Sequence, residues 1–275
     1  MSDLTGQRCE LAPGIVRVTA PNPSPMTGPG TNSYVLGSGP CVIVDPGVDD
    51  ADHLAALRAA APGVIAAIVI THRHPDHVGG AARLAESTGA PIRAFGHHNH
   101  GAYDAPLIVD EPLNDGDAIA LGGMTLDVLH TPGHAADHLC LYAREARWLF
   151  AGDTVMADVT VVILPPDGSM SAYLDSLARL RAMDIDTIAP AHGHLLDDPA
   201  AVLAHIVGHR LDREDQVRRA LARGPTTARA IAAVLYPDID PRLAGMAATQ
   251  VEAHLIRLAE HGEAVADDHG WRRTA

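Results

Sequence analysis

Three imidazoles and a carboxylate fall within six positions of the segment Thr71-His72-Arg73-His74-Pro75-Asp76-His77-Val78-Gly79-Gly80. In an extended loop, residues two apart point the same way, so His72 and His74 can grip one ion together. Asp76 and His77 fall at the turn into a helix and can face a second ion. Neutral imidazole and carboxylate are the donors that borderline divalent zinc favours. With 17 histidines in the chain, some chance clustering on a solvated loop is expected. A buried strand running straight into HxHxDH and then Gly-Gly is a far more specific arrangement than that.

Three further residues extend the set. His134 lies in His130-Thr131-Pro132-Gly133-His134, a tight turn after a strand. Asp153 lies in Phe150-Ala151-Gly152-Asp153-Thr154, and His192 in Ala189-Pro190-Ala191-His192-Gly193-His194, each at a strand end. Donors arriving at strand ends from four parts of the chain are what a site on one edge of a sheet requires. Seven ligand-type residues are too many for one tetrahedral ion, so two zinc ions per chain are expected.

The elements that must position them alternate. Tyr34–Leu36 and Cys41–Val44 flank Gly37-Ser38-Gly39-Pro40, a hairpin signal. Ala51–Ala61 reads as a helix, and Val64–Ile70 (VIAAIVI) as a strand buried on both faces. A helix over Gly79–Thr88 follows the histidine cluster. Strands are expected at Ile92–Ala94, Met124–His130, Leu139–Tyr142, Trp148–Ala151 and Thr187–Ala189, and helices at Tyr173–Ala182 and Pro199–Ala222. This is an α/β class with helix-covered sheets. The tail differs: Thr226–Leu235 and Pro241–Glu260 read as helices, the first capped by Thr226 or Thr227. A hairpin turning at Asp268-His269-Gly270 comes last. That is the outline of a winged-helix module, giving a catalytic domain over 1–223 and a module over 224–275.

Composition sets limits on the partners. The 275 residues carry a formal charge of -14, and all 20 basic residues are arginine. The excess acid lies in residues 1–207, and the tail is neutral, so neither part is an ordinary nucleic-acid surface. No stretch approaches ~18 continuous apolar residues, so no membrane span is expected. The start MSDLTGQRCELAPGIVRV has no signal-peptide character, and Cys9, Cys41 and Cys140 form no CxxC. Both observations fit a reducing cytoplasm. No GxSxG nucleophile motif is present.

With these motifs the chain resembles the metallo-β-lactamase superfamily over nearly its whole length. Within it, the β-lactamase-like protein 2 family is the nearest match, on Thr27-Gly28-Pro29-Gly30-Thr31-Asn32-Ser33-Tyr34, on His130–Leu141 (HTPGHAADHLCL) and on the C-terminal module. The resemblance implies an αββα sandwich with metals at one edge of two sheets. It implies that His72, His74 and His134 bind one ion and that Asp76, His77 and His192 bind the other, with Asp153 bridging. It also implies that Asp45, in Val42-Ile43-Val44-Asp45-Pro46-Gly47, supports the metal loop from behind. The alternative for Asp45 is an ordinary residue of a strand-end turn.

The activity to expect is hydrolysis by a metal-bridging hydroxide, with Asp76 orienting the nucleophile or taking its proton. His74 stands where the redox-active diiron members carry Glu. The 38 residues between Asp153 and His192 leave no room for the large domain some nucleases insert there. Two enzymatic readings stay open. One is a hydrolase of small esters, thioesters or lactones. The other is a single-strand-specific endoribonuclease, which some members of the resembled family are similar to. Charge and an aromatic content of 3% favour the small molecule. A DNA-binding regulator is a third reading, but Pro241–Glu260 offers only Arg242 and Arg257 to a groove. The tail is better read as a substrate wall or a contact in a homodimer. His138 reads as core or as support for the metal site, His194 as pocket-facing or structural. His97, His98 and His100 read as a solvated cluster near the pocket.

Overall fold

The computed structural model describes residues 7–96, 101, 103–157, 159–224, 226–268 and 270–274. The expected cluster His97, His98 and His100 and the turn residue His269 lie outside them.

The first sheet takes its strands in chain order: β1 (Arg8–Ala12), β2 (Ile15–Thr19), β3 (Asn32–Leu36), β4 (Cys41–Val44), β5 (Ile65–Val69), β6 (Ile92–Phe95) and β7 (Glu111–Leu113). Its first four strands pair antiparallel and its last four parallel. The second sheet runs from β8 (Ala118–Ala120) through β9 (Thr125–His130), β10 (Leu139–Ala143) and β11 (Trp148–Gly152) to β12 (Thr187–Pro190), which lies parallel to β11.

Side-chain alternation decides the layering. Along β3, β4 and β5, residues Tyr34, Leu36, Val42, Val44, Ala67 and Val69 face a core shared with Leu126, Val128, Leu139, Leu141 and Phe150 of the second sheet. Their neighbours Val35, Cys41, Ile43 and Ile68 face the opposite way. There they meet Leu54 and Leu57 of α1 (Ala51–Ala60) and Ala81 and Leu84 of α3 (Ala81–Thr88). The central strands are thus apolar on both faces, as VIAAIVI anticipates. Between β5 and α3 sits the single turn α2 (Pro75–Val78), Pro at its first position, carrying Asp76 and His77.

Four strands, β1, β2, β7 and β8, go beyond the sequence-based expectation. Three of them are short or exposed. The other, β2, is wholly buried, and its IVRVT carried a legible β-branched signal interrupted by Arg17.

A second compact unit gathers residues 132–136, 162–182 and 200–275. It contains α4 (Met170–Arg181), capped by Ser169, and the long α5 (Pro199–Leu221). It continues with α6 (Ala228–Leu235), whose N-terminus is capped by the Thr227 side chain, and α7 (Ala244–Glu260). The hairpin of β13 (Ala264–Asp267) and β14 (Gly270–Arg273) completes it. The helix expected over Pro241–Glu260 opens as a 3-10 turn at Pro241–Leu243 before α7 begins. Val217 and Leu221 of α5 share a core with Ile231, Val251, Leu255 and Leu258. The sequence-based break at Gly224 therefore falls between helices that pack together. No described helix is long and apolar enough to cross a membrane.

Candidate metal centre

The site is assembled where β4, β5, β11 and β12 end. Asp45, just past β4, holds a left-handed backbone (φ 48°), a conformation that Asp tolerates better than most residues. Its carboxylate accepts the Thr71 backbone N–H at 2.8 Å and the Thr71 hydroxyl at 2.7 Å, tying down the loop that leaves β5. It also lies 2.8 Å from His77 Nδ1. With Nδ1 engaged there, His77 presents Nε2 to the cleft.

That Nε2 is buried and has no hydrogen-bond partner among the described residues. It stands 3.6 Å from Asp76 Oδ2 and 3.6 Å from Asp153 Oδ1. His192 Nε2 stands 3.3 Å from the same two oxygens. Two donors each about 2.1 Å from a tetrahedral ion sit about 3.4 Å apart. The spacing is too long for good hydrogen bonds and suits four ligands around one point. His72 and His74 also converge, His72 Nε2 lying at hydrogen-bond distance, 3.0 Å, from His74 Nδ1. Asp76, His77 and His192 form one group with mutually close ligand atoms, and His72, His77 and Asp153 another, so a metal fits this chemistry. His134 belongs to the turn between β9 and β10, with Nδ1 2.6 Å from Val162 O.

The electrostatics agree. Burial lowers the pKa of His77, but Asp76, Asp153 and Asp45 outweigh it and raise it well above the ordinary histidine range. Burial likewise opposes the charged form of His192, yet Asp153 and Asp76 bring it to about 9. Burial raises Asp153, and His192 and His77 hold it well below the usual carboxylate range. For Asp76, burial is again outweighed, chiefly by His77 and His192, giving about 2. A pocket that gathers two carboxylates so tightly demands positive charge, supplied by protons until a cation replaces them.

The metallo-beta-lactamase superfamily model matches residues 26–192 of this chain, and that of the beta-lactamase associated winged helix domain matches 227–271. The chain belongs to the metallo-β-lactamase superfamily. It is a metallo-β-lactamase-fold hydrolase with a C-terminal winged helix. A "Beta-lactamase-like protein 2 homolog" of Drosophila melanogaster is 31% identical, over 92% of this chain and 90% of its own length. An "Atrochrysone carboxyl ACP thioesterase" of Aspergillus chevalieri is 34% identical, over 77% of this chain and 67% of its own. A crystal structure of a beta-lactamase domain protein from Burkholderia ambifaria superposes with a TM-score of 0.82 at 24% identity, covering 98% of this chain and 94% of that one.

In this metallo-β-lactamase-fold hydrolase several supports escape sequence reading. Asn32 donates through Nδ2 to Pro190 O (3.1 Å) and Gly193 O (2.9 Å), and its backbone N–H to Ala191 O (2.7 Å). The Tyr34 hydroxyl donates to Pro190 O at 2.7 Å. Together they clamp the strand end that carries His192. His138, read only as core or support, accepts the Asp153 backbone N–H through Nε2 at 3.0 Å. Gly152 must stay small there, since a Cβ would sit 2.5 Å from that nitrogen. His194 is exposed. The motif TGPGTNSY contained the Asn32 and Tyr34 signal, but its partners lie more than 150 residues away.

Proposed function

We propose that this hydrolase uses two zinc ions to cleave a small thioester, an ester or lactone being the related chemistry. His72, His74 and His134 would hold one ion and Asp76, His77 and His192 the other, with Asp153 a ligand shared between them. The observation that carries this is the ring of His77 Nε2, His192 Nε2, Asp76 Oδ2 and Asp153 Oδ1 at 3.3–3.6 Å. Imidazole with carboxylate and no thiolate suits zinc, with manganese and iron as competitors. When bound, two such ions acidify a shared water and polarise a substrate carbonyl.

The chain's own residues do the rest. Asp45 fixes the tautomer of His77 and the course of the Thr71 loop, which keeps the donors aimed before any ion arrives. Asp153 is buried, so it suits holding the cations together. The Asp76 side chain retains 28% exposure and is the carboxylate a water molecule can reach. Beside a bound cation its carboxyl would stay ionised, which makes it a weak proton store. It is better suited to orient the water and pass a proton on than to keep one.

The thioesterase relative supports the substrate class, as does the charge of -14, which repels a polyphosphate chain. A duplex-reading role for Pro241–Glu260 is weakened by its arginines. Arg257 pairs with Glu214, and Arg242 pairs with Asp240 at 2.6 Å. The test is a substrate panel on zinc-loaded protein: an acyl thioester, a lactone, a phosphodiester and labelled single-stranded RNA. Turnover of the thioester is expected. Cleavage of the RNA with no thioester turnover would replace this reading by the endoribonuclease.

A further inference from the structure

We infer that Gln250, on α7, is a positioning residue for the metal ligand His134, so that the winged-helix module tunes one of the two ions. The inference rests on the ligand set proposed above.

A carbonyl oxygen only accepts, so His134 must carry its proton on Nδ1, 2.6 Å from Val162 O. That leaves Nε2 as the lone pair for an ion. The Val162 carbonyl thus sets both tautomer and ring angle, the role that outer partners of metal-bound histidines usually play. Yet residues 161–164 belong to no strand or helix. Among the described residues no strand ladder holds this carbonyl, and the segment's own backbone bond lies at Leu164 O, which accepts from Gly168 N–H at 2.8 Å.

Gln250 adds a side-chain restraint next to the carbonyl itself. Its Nε2 donates to Ile163 O at 2.7 Å, one residue beyond the carbonyl that binds His134. The amide is itself fixed from the other side, because Arg210 Nη1 reaches its Oε1 at 3.4 Å. That pairing decides which way the amide points, since only its oxygen can face an arginine. Arg210 is 3% exposed, and its guanidinium lies 5.4 Å from the ring centroid of the buried Tyr173. The backbone of the His134 turn is anchored separately by α4. Ser169 N–H donates to Gly133 O, and the Ser176 hydroxyl donates to Pro132 O, both at 2.8 Å. A Cβ on Gly133 would come within 2.4 Å of Tyr173 Cα, so the turn presses directly on that helix. The turn is therefore placed by α4, and the carbonyl that aims its imidazole is placed by α7.

A plainer account would make Gln250 a structural bond that steadies the module and nothing more. The two accounts part in how the ions respond. The experiment uses the full chain loaded with zinc, with stepwise affinities from chelator competition, for wild type, Gln250→Glu, Gln250→Leu and Glu252→Ala. Glutamate keeps the length of Gln250 and its contact with Arg210, but when ionised it cannot donate to Ile163 O. Leucine removes both bonds at similar volume. Glu252→Ala, on the same helix, deletes the 3.1 Å bond from Trp271 Nε1 and leaves the Ile163 contact untouched. We expect both Gln250 variants to weaken one zinc ion about 10–100-fold and to spare the other. Nitrogen spectra of the histidines should show the Nδ1–H form of His134 losing its dominance in these variants. Glu252→Ala should match wild type in both respects. Unchanged affinities in both Gln250 variants, or an equal loss in Glu252→Ala, would overturn the inference and leave the ligand set standing. A wild-type chain that binds no zinc would overturn the ligand set itself, and the inference with it.

Discussion

Asp45 Oδ2 lies 2.8 Å from His77 Nδ1, and both side chains are shut off from solvent. One carboxylate behind the metal loop therefore holds an imidazole, a backbone N–H and the Thr71 hydroxyl at once. Asp45→Ala leaves all three polar groups buried without their acceptor. We expect a loss of about 2–4 kcal/mol in the unfolding free energy, read by urea denaturation of metal-free protein. Asp45→Asn should fold better and still bind metal at least about tenfold more weakly, because the amide no longer secures the Nδ1–H form of His77. Wild-type affinity in Asp45→Asn would show that Asp45 is only a strand-end turn residue.

Elemental analysis of gently purified protein should approach two metal equivalents per chain, since seven donors exceed what one tetrahedral ion takes. Removing them with a chelator should abolish turnover and lower the melting temperature, because an ion that binds only the folded state stabilises it. One equivalent that added zinc does not increase would count against the paired site.

The two carboxylates in the cleft should separate under mutation. Asp153 faces both His77 and His192 and is buried, so Asp153→Ala should lower metal content and activity together. Asp76→Asn should keep the ion assigned to the three histidines His72, His74 and His134. Its kcat should nonetheless fall by roughly 100-fold or more, the usual size of a lost proton-handling contribution. Metal content and kinetics measured on both variants decide this. Full activity in Asp76→Asn would mean that the roles are misassigned.

The pH dependence follows from the raised histidines. In metal-free protein His192 keeps its proton until about pH 9, and His77 stays protonated beyond the ordinary histidine range. Metal must displace those protons, so binding at pH 7 should release protons and apparent affinity should rise up to about pH 9. Calorimetry in buffers of differing ionisation enthalpy measures the release. The sign for the metal-free fold is the reverse. A raised folded-state pKa stabilises fully below about 6.5 and is lost as pH climbs through about 9. Metal-free protein should therefore melt lower at pH 9.5 than at pH 6.5.

The sequence by itself determined what is local. His72, His74, Asp76 and His77 fall within six positions, and an extended loop entering one helical turn is enough to make them converge. The apolar runs of β4 and β5, the HTPGH turn and the Gly-Asp at the end of β11 marked strand ends, because period and turn chemistry are properties of a few consecutive residues. The outline of two helices and a hairpin in the tail was legible for the same reason.

What depends on pairing across long separations was decided only by the tertiary structure. The short strands β1, β7 and β8 bury too little on their own to announce themselves, and they exist because a neighbouring strand offers a free edge. Asn32 and Tyr34 look like ordinary strand residues until β12 brings Pro190 and Gly193 within reach. His138 gains a role only when folding puts the Asp153 backbone N–H 3.0 Å from its ring. Gln250 is one polar residue on an amphipathic helix until Ile163 O needs a donor. Ligand identity is written in residue types and short spacings. Ligand orientation comes from buried hydrogen bonds between distant segments, which burial makes costly to leave unmade and which no local pattern encodes.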